Sequence, residues 1–484
     1  MTRETQPPPP APTDPYPESR RTLHDFTVWM GQAAGEKQLF VQGPEHPLQH
    51  FQGDAVQHGP LKVLQCPLSS HNAKVLREIL PNLKPQPLGL ATSAGFGDRL
   101  GVATPGHVQA LQAVGGRIRP IFAQQSIREM ARTGRTPQQV LDDATWGAFQ
   151  AGWTGTLGAD ADHLKTPEDI DRCAAAGFTF FTLDPSGHVD NAAGRDSAAV
   201  LQEKLGQLPW AALDTSETDL QRRYRALRLD LGHRTLTLDE EAITRAAVKY
   251  LPAVQQIQAL FQHLQGKNIP FELEISVDEG DAPTTPAEHV FLASELKRLG
   301  VSWVSLAPRF IGSFEKGVDY IGDVDLLNLE MQDHALIARR LGPYKLSLHS
   351  GSDKFSIYPI AMHHTQGLVH LKTAGTSYLE ALRVVAVTAP DLFTEMLEVA
   401  KQHFEEDRAS YHISGKLDRV PVQPGNLPAL LDHFDTRQVL HVTFGTLLQQ
   451  FREPLMQLME QHETLHLQGL REHFIRHLAP FAGA

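Results

Sequence analysis

Hydrophobic and polar positions recur along the chain in two periods, and the two periods take turns. Short apolar or strictly alternating runs of strand length are followed by longer stretches with apolar residues every three or four positions, the pattern of strand–helix units that feed a parallel sheet. The strands read this way are "PLGLATSA" (87–94), "RIRPIFAQQ" (117–125), "GTLGADADH" (155–163), "FTFFTLDPS" (178–186), "FELEISVDE" (271–279), "VSWVSLAPRF" (301–310), "YKLSLHSG" (344–351) and "GLVHLKTAGTS" (367–377). A further run, "PLKVLQCPL" at 60–68, leaves the count open by one. Eight such units predict an α/β protein built on a (β/α)8 barrel of the TIM type, spanning 22–382.

Helix starts are written clearly between these strands. In "KTPEDIDRCAAAG" Thr166 is placed to cap, Pro167 to open the first turn, and Glu168 and Asp169 to face the positive helix end. "TTPAEHVFLASELKRLG" (284–300) repeats the pattern, and both segments close on glycine before a strand. Between 190 and 267 no strand period appears and 238–266 has helical spacing, which predicts a largely helical insertion. From 383 to 484 the chain again reads as helix, an extension packed on the barrel. The opening residues, 1–21, are too rich in proline to form a helix or bury much, and read as a disordered or extended tail.

Charge and cysteine usage narrow the function classes. The 484 residues carry 56 acidic against 44 basic side chains, a balance that argues against nucleic acid or an anionic membrane as partner and favours a small polar substrate. No run approaches the length that spans a bilayer. Two cysteines without a CxxC spacing leave no disulfide framework and suggest a reducing, cytoplasmic setting. The oligomeric state is left open, a homo-oligomer included.

Polar residues cluster at one place in each unit. Gln124, Gln125, Asp160, Asp162, His163, Asp184, Glu274 to Asp278, Arg309, His349 and Lys372 all stand at strand ends, where a (β/α)8 barrel builds its active site. In "FELEISVDE" the residues Phe271, Leu273, Ile275 and Val277 share one face, and Glu272, Glu274, Ser276 and Asp278 the other. Glu272 is at home in an internal salt-bridge layer with Lys345, whereas Glu274 lies nearer the strand end and can reach substrate or metal. His349 points inward after "KLSL", and the imidazoles and carboxylates at this depth form an N/O set suited to manganese, zinc, iron, cobalt or nickel. The spacing does not choose among these ions.

Three other motifs admit plainer readings. "SAGFGDRLGVATPGH" departs from the dinucleotide fingerprint by one residue at its third glycine and reads as a loop before a helix starting at Thr104. "HLKTAGTS" offers an anion seat with Lys372, or simply a capped loop. The terminal His462, His466, His473 and His477 sit at helical spacing and read as a solvated face.

Over 275–323, together with "GADADHLKTPEDID" and "LSLHSGSDKFSIYP", the sequence resembles the tagaturonate epimerase family, and the resemblance extends from about 83 to 382. Members are metal-dependent enzymes of hexuronate catabolism that interconvert D-tagaturonate and D-fructuronate, with relatives acting on tagatose and fructose. The resemblance implies Asp162 as proton acceptor, Glu274 as proton donor, and His163 and His349 as ligands of a divalent metal cation, with Glu315 of "GSFEKG" as third ligand. Charge and position mark Arg309, Lys354 and Lys372 as holders of the ketouronate carboxylate. A metal-dependent sugar aldolase or ketose isomerase, and a catalytically silent sugar-acid-binding protein, are the competing readings.

Overall fold

A computed structural model describes residues 15–44, 48–58, 61–421 and 425–483. Its centre is the expected barrel. The strands are β1 (Ser93–Gly97), β2 (Arg119–Ser126), β3 (Gly158–Leu164), β4 (Phe180–Leu183), β5 (Glu272–Ser276), β6 (Ser305–Ala307), β7 (Lys345–Leu348) and β8 (Val369–Thr373). Each pairs in parallel with its neighbours in sequence, and β8 closes on β1 through pairs such as Lys372 with Gly95. A helix or group of helices follows every strand, the order that keeps all crossovers on the outside.

Local chemistry explains the helix boundaries. Thr166 accepts from the Asp169 N–H ahead of helix Pro167–Ala176, and Gly177 ends it in a left-handed conformation (φ 103°) that costs a residue without Cβ nothing. Thr285 and Glu288 form a reciprocal capping box on helix Pro286–Arg298. Between β4 and β5 lie helices Ala198–Gly206 and Glu217–Arg225, a two-strand ribbon of two residues each, and the 26-residue helix Glu240–Gln265 that packs on Pro286–Arg298.

Alternation along the barrel strands sorts the side chains. Leu273, Ile275, Leu346 and Leu348 are buried in the main apolar cluster outside the barrel wall. Glu272 accepts the backbone N–H groups of Leu88 (2.8 Å) and Gly89 (2.7 Å), tying the chain before β1 to the barrel. For that reason β1 begins only at Ser93, later than the run at 87–94 suggests: Leu88 and Gly89 serve Glu272 and are not available to a ladder. Lys345 donates to Ser93 (2.9 Å), which also meets His370 (2.9 Å), so the interior holds a polar layer.

Two parts lie outside the barrel. An antiparallel sheet precedes it, with strands Arg21–Leu23, Phe26–Ala33, Glu36–Gln42, Asp54–His58 and Leu61–Cys66. The described part of the run at 60–68 supplies strand Leu61–Cys66 there, and Ala34 and Gly35, both with positive φ, make the tight turn of its first long hairpin. Residues 1–14 of the expected tail lie outside the described residues; beyond them Tyr16 is packed and donates to Glu463 (2.8 Å). The C-terminal helices form a second apolar cluster around Leu382, Phe393, Leu440 and Leu447. Helix Glu463–Leu478 lies along Thr104–Val114, where a Cβ on Gly106 would stand 2.6 Å from Leu470. This packing corrects the solvated-face expectation: His466, His473 and His477 are buried because the helix turns that stripe inward. Among the described residues no helix is long and apolar enough to cross a membrane.

Several buried histidines couple the fold to pH. Burial pushes His107 from 6.5 to about 3, His370 to about 3 and His334 to about 4. The unfolded chain takes up these protons as pH falls through 6.5 while the folded chain refuses them, so stability is intact above 6.5 and is lost on acidification toward 4. Each histidine contributes a slope of up to about 1.4 kcal/mol per pH unit. Denaturant midpoints measured from pH 7 to 4 should fall steadily, and His107→Gln should flatten the fall; an unchanged slope in that variant would place the proton uptake elsewhere.

Candidate active site

The strand ends converge on one ammonium group. Lys372 of β8 reaches across the barrel to Asp160 (2.8 Å) and Asp162 (2.7 Å) of β3, Glu274 (2.9 Å) of β5 and the hydroxyl of Thr182 (2.6 Å) of β4. Register brings them level, with Glu274 paired to Thr182 on one side and Ser305 on the other. Thr182 donates onward to Asp160 (3.0 Å).

Crowding separates the proton affinities of these groups. Burial raises Asp160 to about 7 against the pull of Lys372. Burial acts on Asp162 in the same sense, yet His163 and Lys372 outweigh it and hold this carboxyl at about 2. Glu274 stays well below the usual carboxylate range, since Lys372 and His349 overcome its burial. Lys372 is raised well above the usual lysine range by the three carboxylates despite its own burial.

Two imidazoles stand beside this cluster. His349, just past β7, donates to Glu274 (2.6 Å) and lies 3.1 Å from Asp278. His163, at the end of β3 with φ 54°, sits in the left-handed region, an unfavourable backbone of the kind that clusters at functional sites. Its Nδ1 bonds Asp184 (3.0 Å), leaving Nε2 toward Asp162 (3.8 Å). Burial would lower both rings, but neighbouring carboxylates lift His163 to about 10 and His349 to about 9.

Ligand atoms of Asp162, His163 and His349 all lie within 4.8 Å of one another. One carboxylate and two imidazoles suit a borderline divalent ion, and Asp184 behind His163 supplies the outer hydrogen bond that metal-bound histidines usually have. The residues therefore fit a metal, which would replace the proton on one nitrogen of each imidazole.

The structure thus brings Asp162, His163, Glu274 and His349 together, as expected from the sequence. The others fall differently. Arg309 lines the open cavity above the cluster, as does Glu315, whose Oε2 already accepts from Ser414 N–H (2.7 Å), Ser414 Oγ (2.8 Å) and Gln438 (2.8 Å). Lys354 is fully buried and donates to the carbonyls of Glu315 (2.7 Å), Val318 (2.5 Å) and Ser352 (3.0 Å), so no donor remains for substrate. Lys372 is turned to carboxylates of its own chain, which also removes the anion seat suggested for "HLKTAGTS". In the glycine-rich loop after β1, Asp98 accepts the N–H groups of Leu100, Gly101 and Ala103, so these do not face outward for a phosphate. Sequence reasoning missed Lys316, Arg128 and the 410–412 segment, which line the same cavity. Lys316 adjoins Glu315 in "GSFEKG" and was within reach of the charge argument; the 410–412 segment carries no local signal.

A parallel barrel whose strand ends gather ionised carboxylates, imidazoles and a metal-capable trio defines an enzyme equipped for acid–base chemistry on a small polar molecule. The comparisons make this specific. Residues 16–481 match the family model described as tagaturonate epimerase. A tagaturonate/fructuronate epimerase from Thermotoga maritima is 42% identical over 477 residues, covering 96% of each chain. The native crystal structure of a fructuronate-tagaturonate epimerase from Cohnella laeviribosi superposes with a TM-score of 0.91 at 39% identity, again covering 96% of each chain, and a glycerol complex of it gives the same score at 38%. The chain belongs to the tagaturonate epimerase family and is an isomerase.

Removing the central cation should be costly. Lys372→Met leaves three buried carboxylates without their partner and should lower stability by about 3–5 kcal/mol. Urea unfolding at pH 7 measures this, and a loss below about 1 kcal/mol would mean that the carboxylates find other compensation.

Proposed function

We propose that this chain interconverts D-tagaturonate and D-fructuronate, inverting the hydroxyl carbon β to the ketone, by retro-aldol cleavage and re-addition with a divalent ion. The observation that carries this reading is the pair Asp162 and Glu274, approached by one ammonium at the barrel mouth, in a chain that is 42% identical to a tagaturonate/fructuronate epimerase.

The substrates dictate what the side chains must do. The inverted carbon lies one bond beyond the position that the ketone acidifies, so removing an α-proton cannot invert it. Asp162, ionised through His163 and Lys372, takes the proton of the hydroxyl on that carbon. The bond to the α-carbon then breaks: its electron pair moves into the ketone half as an enediolate, and the inverting carbon becomes an aldehyde. Rotation of that aldehyde presents its other face, the same bond re-forms, and Glu274 relays to the new alkoxide a proton drawn from His349, whose Nε2 lies 2.6 Å from its Oε1. The opposite substrate uses the two carboxylates in reverse. Atoms and electrons balance without an external oxidant.

His163 and His349 would hold the ion, with Asp162 as the carboxylate in reach and Glu315 across the cavity as the other candidate. When bound it supplies Lewis-acid stabilisation of enediolate charge. Asp162 would ligate through one carboxylate oxygen and keep the other for proton transfer, whereas Glu315 already accepts three hydrogen bonds.

Two measurements test this. Glu274→Gln should keep the fold and the metal content while lowering turnover by about two orders of magnitude or more, the scale of lost acid–base catalysis; a near-normal rate removes Glu274 from the mechanism. Proton NMR of D-fructuronate with chelator-treated enzyme should show tagaturonate only after manganese, zinc, iron, cobalt or nickel is returned, and D-fructose run alongside ranks the two substrate classes. Accumulation of three-carbon fragments in the same spectra would instead identify an aldolase.

A further inference from the structure

The loop after β6 is clamped at its backbone while two of its cations are left without partners among the described residues. Lys354 grips the carbonyls of Glu315 and Val318, Arg437 donates to the Gly317 carbonyl (2.5 Å), and Gln438 bonds both the Glu315 carboxylate (2.8 Å) and the Lys316 carbonyl (3.4 Å). Within this clamp the Lys316 side chain lines the cavity shared with His163 and His349, and it makes no hydrogen bond or ion pair with a described residue. The carboxylates near it are already engaged, Glu129 by Arg99 (2.8 Å) and Asp162 by Lys372 (2.7 Å). Burial pushes the Lys316 pKa below the usual lysine range, with Glu129 and Asp162 opposing, so its charge is poorly solvated. Arg309 on the same cavity also has a guanidinium without a partner among the described residues. Arg128, by contrast, lies over the Tyr411 ring (5.1 Å) and reaches Glu279 (3.5 Å).

We propose that Lys316, with Arg309, is the seat of the substrate's carboxylate and the feature that selects ketouronates over neutral ketohexoses. The inference rests on the epimerase reading for the substrate's identity, while the anion seat rests on the clamp and the unpartnered cations. Asp162, Glu274, His163 and His349 stand at the strand ends, and Lys316 and Arg309 come from the β6 loop above them; a six-carbon acid with its reacting carbon at the strand ends turns its acid terminus toward that loop. A neutral terminus there leaves half-buried cations unpaired, which is how a polar site rejects an analogue.

The test compares D-gluconate with D-glucitol, which differ at the acid terminus, by calorimetric titration of wild-type, Lys316→Met, Lys316→Arg and Arg309→Gln enzymes. Wild type should prefer gluconate. Lys316→Met should weaken gluconate by about tenfold to a hundredfold and leave glucitol unaltered, the scale of a lost charge-assisted bond, and Lys316→Arg should restore most of it. In turnover assays the KM for D-fructuronate should rise in the same proportion, with a smaller change in kcat. Equal weakening of both ligands, no weakening, or a wild type without preference for gluconate overturns the seat. Should Lys316→Met fail to fold, Arg309→Gln carries the same expected loss of preference. A wild type that converts no ketouronate but shows the gluconate preference sinks the epimerase reading and leaves the seat standing, so the two failures are distinguishable.

Discussion

The ammonium of Lys372, held among Asp160, Asp162 and Glu274 inside a closed barrel, is the interaction on which the rest of the site depends. Three carboxylates this close would repel one another strongly in a medium of low dielectric, and strands β3, β5 and β8 would carry that cost in the middle of the fold. One cation shared among them lets two of the three remain ionised while the third, Asp160, is raised to about 7. Paired groups with divergent proton affinities are what acid–base chemistry requires. The same arrangement explains why the barrel centre is polar: hydrocarbon would leave the ionised carboxylates with nothing to answer them.

Around this centre the C-terminal helices act as a brace. Asp353, in the loop after β7 and itself in a left-handed conformation (φ 62°), meets Arg437 (3.0 Å) and His473 (3.0 Å), and its N–H donates to His477 (2.9 Å). These three residues lie far along the chain from the barrel strands. Their contacts hold the β7 loop, while Gln438, Ser414 and Arg437 hold the β6 loop, so two cavity walls are set by packing that the barrel alone does not supply.

Legibility in the sequence followed the range of the physics involved. Eight strand–helix units, the caps at Thr166 and Thr285 and the inward set Asp162, Glu274 and His349 could be read because each depends on residues close in sequence. The N-terminal sheet was missed, although its alternating runs and the Ala34–Gly35 turn are local signals. The histidines of the last helix were misread because a stripe at helical spacing does not reveal what lies against it; here it is the helix Thr104–Val114, with Gly106 allowing close approach. Lys354 and Lys372 looked like cations free for a substrate, and both are engaged by groups from distant segments.

By itself the sequence determined the periodicities, and with them a parallel barrel whose polar residues gather at the strand ends, because a strand of period two sends every second side chain inward. It also carried enough of its family's pattern to name the family. The tertiary structure alone decided which charges meet: that Lys372 answers three carboxylates, that Lys354 is consumed by carbonyls, and that Lys316 is left facing the cavity. Those outcomes depend on contacts between residues separated by tens to hundreds of positions, and side-chain period along a chain holds no information about which distant charge closes on which.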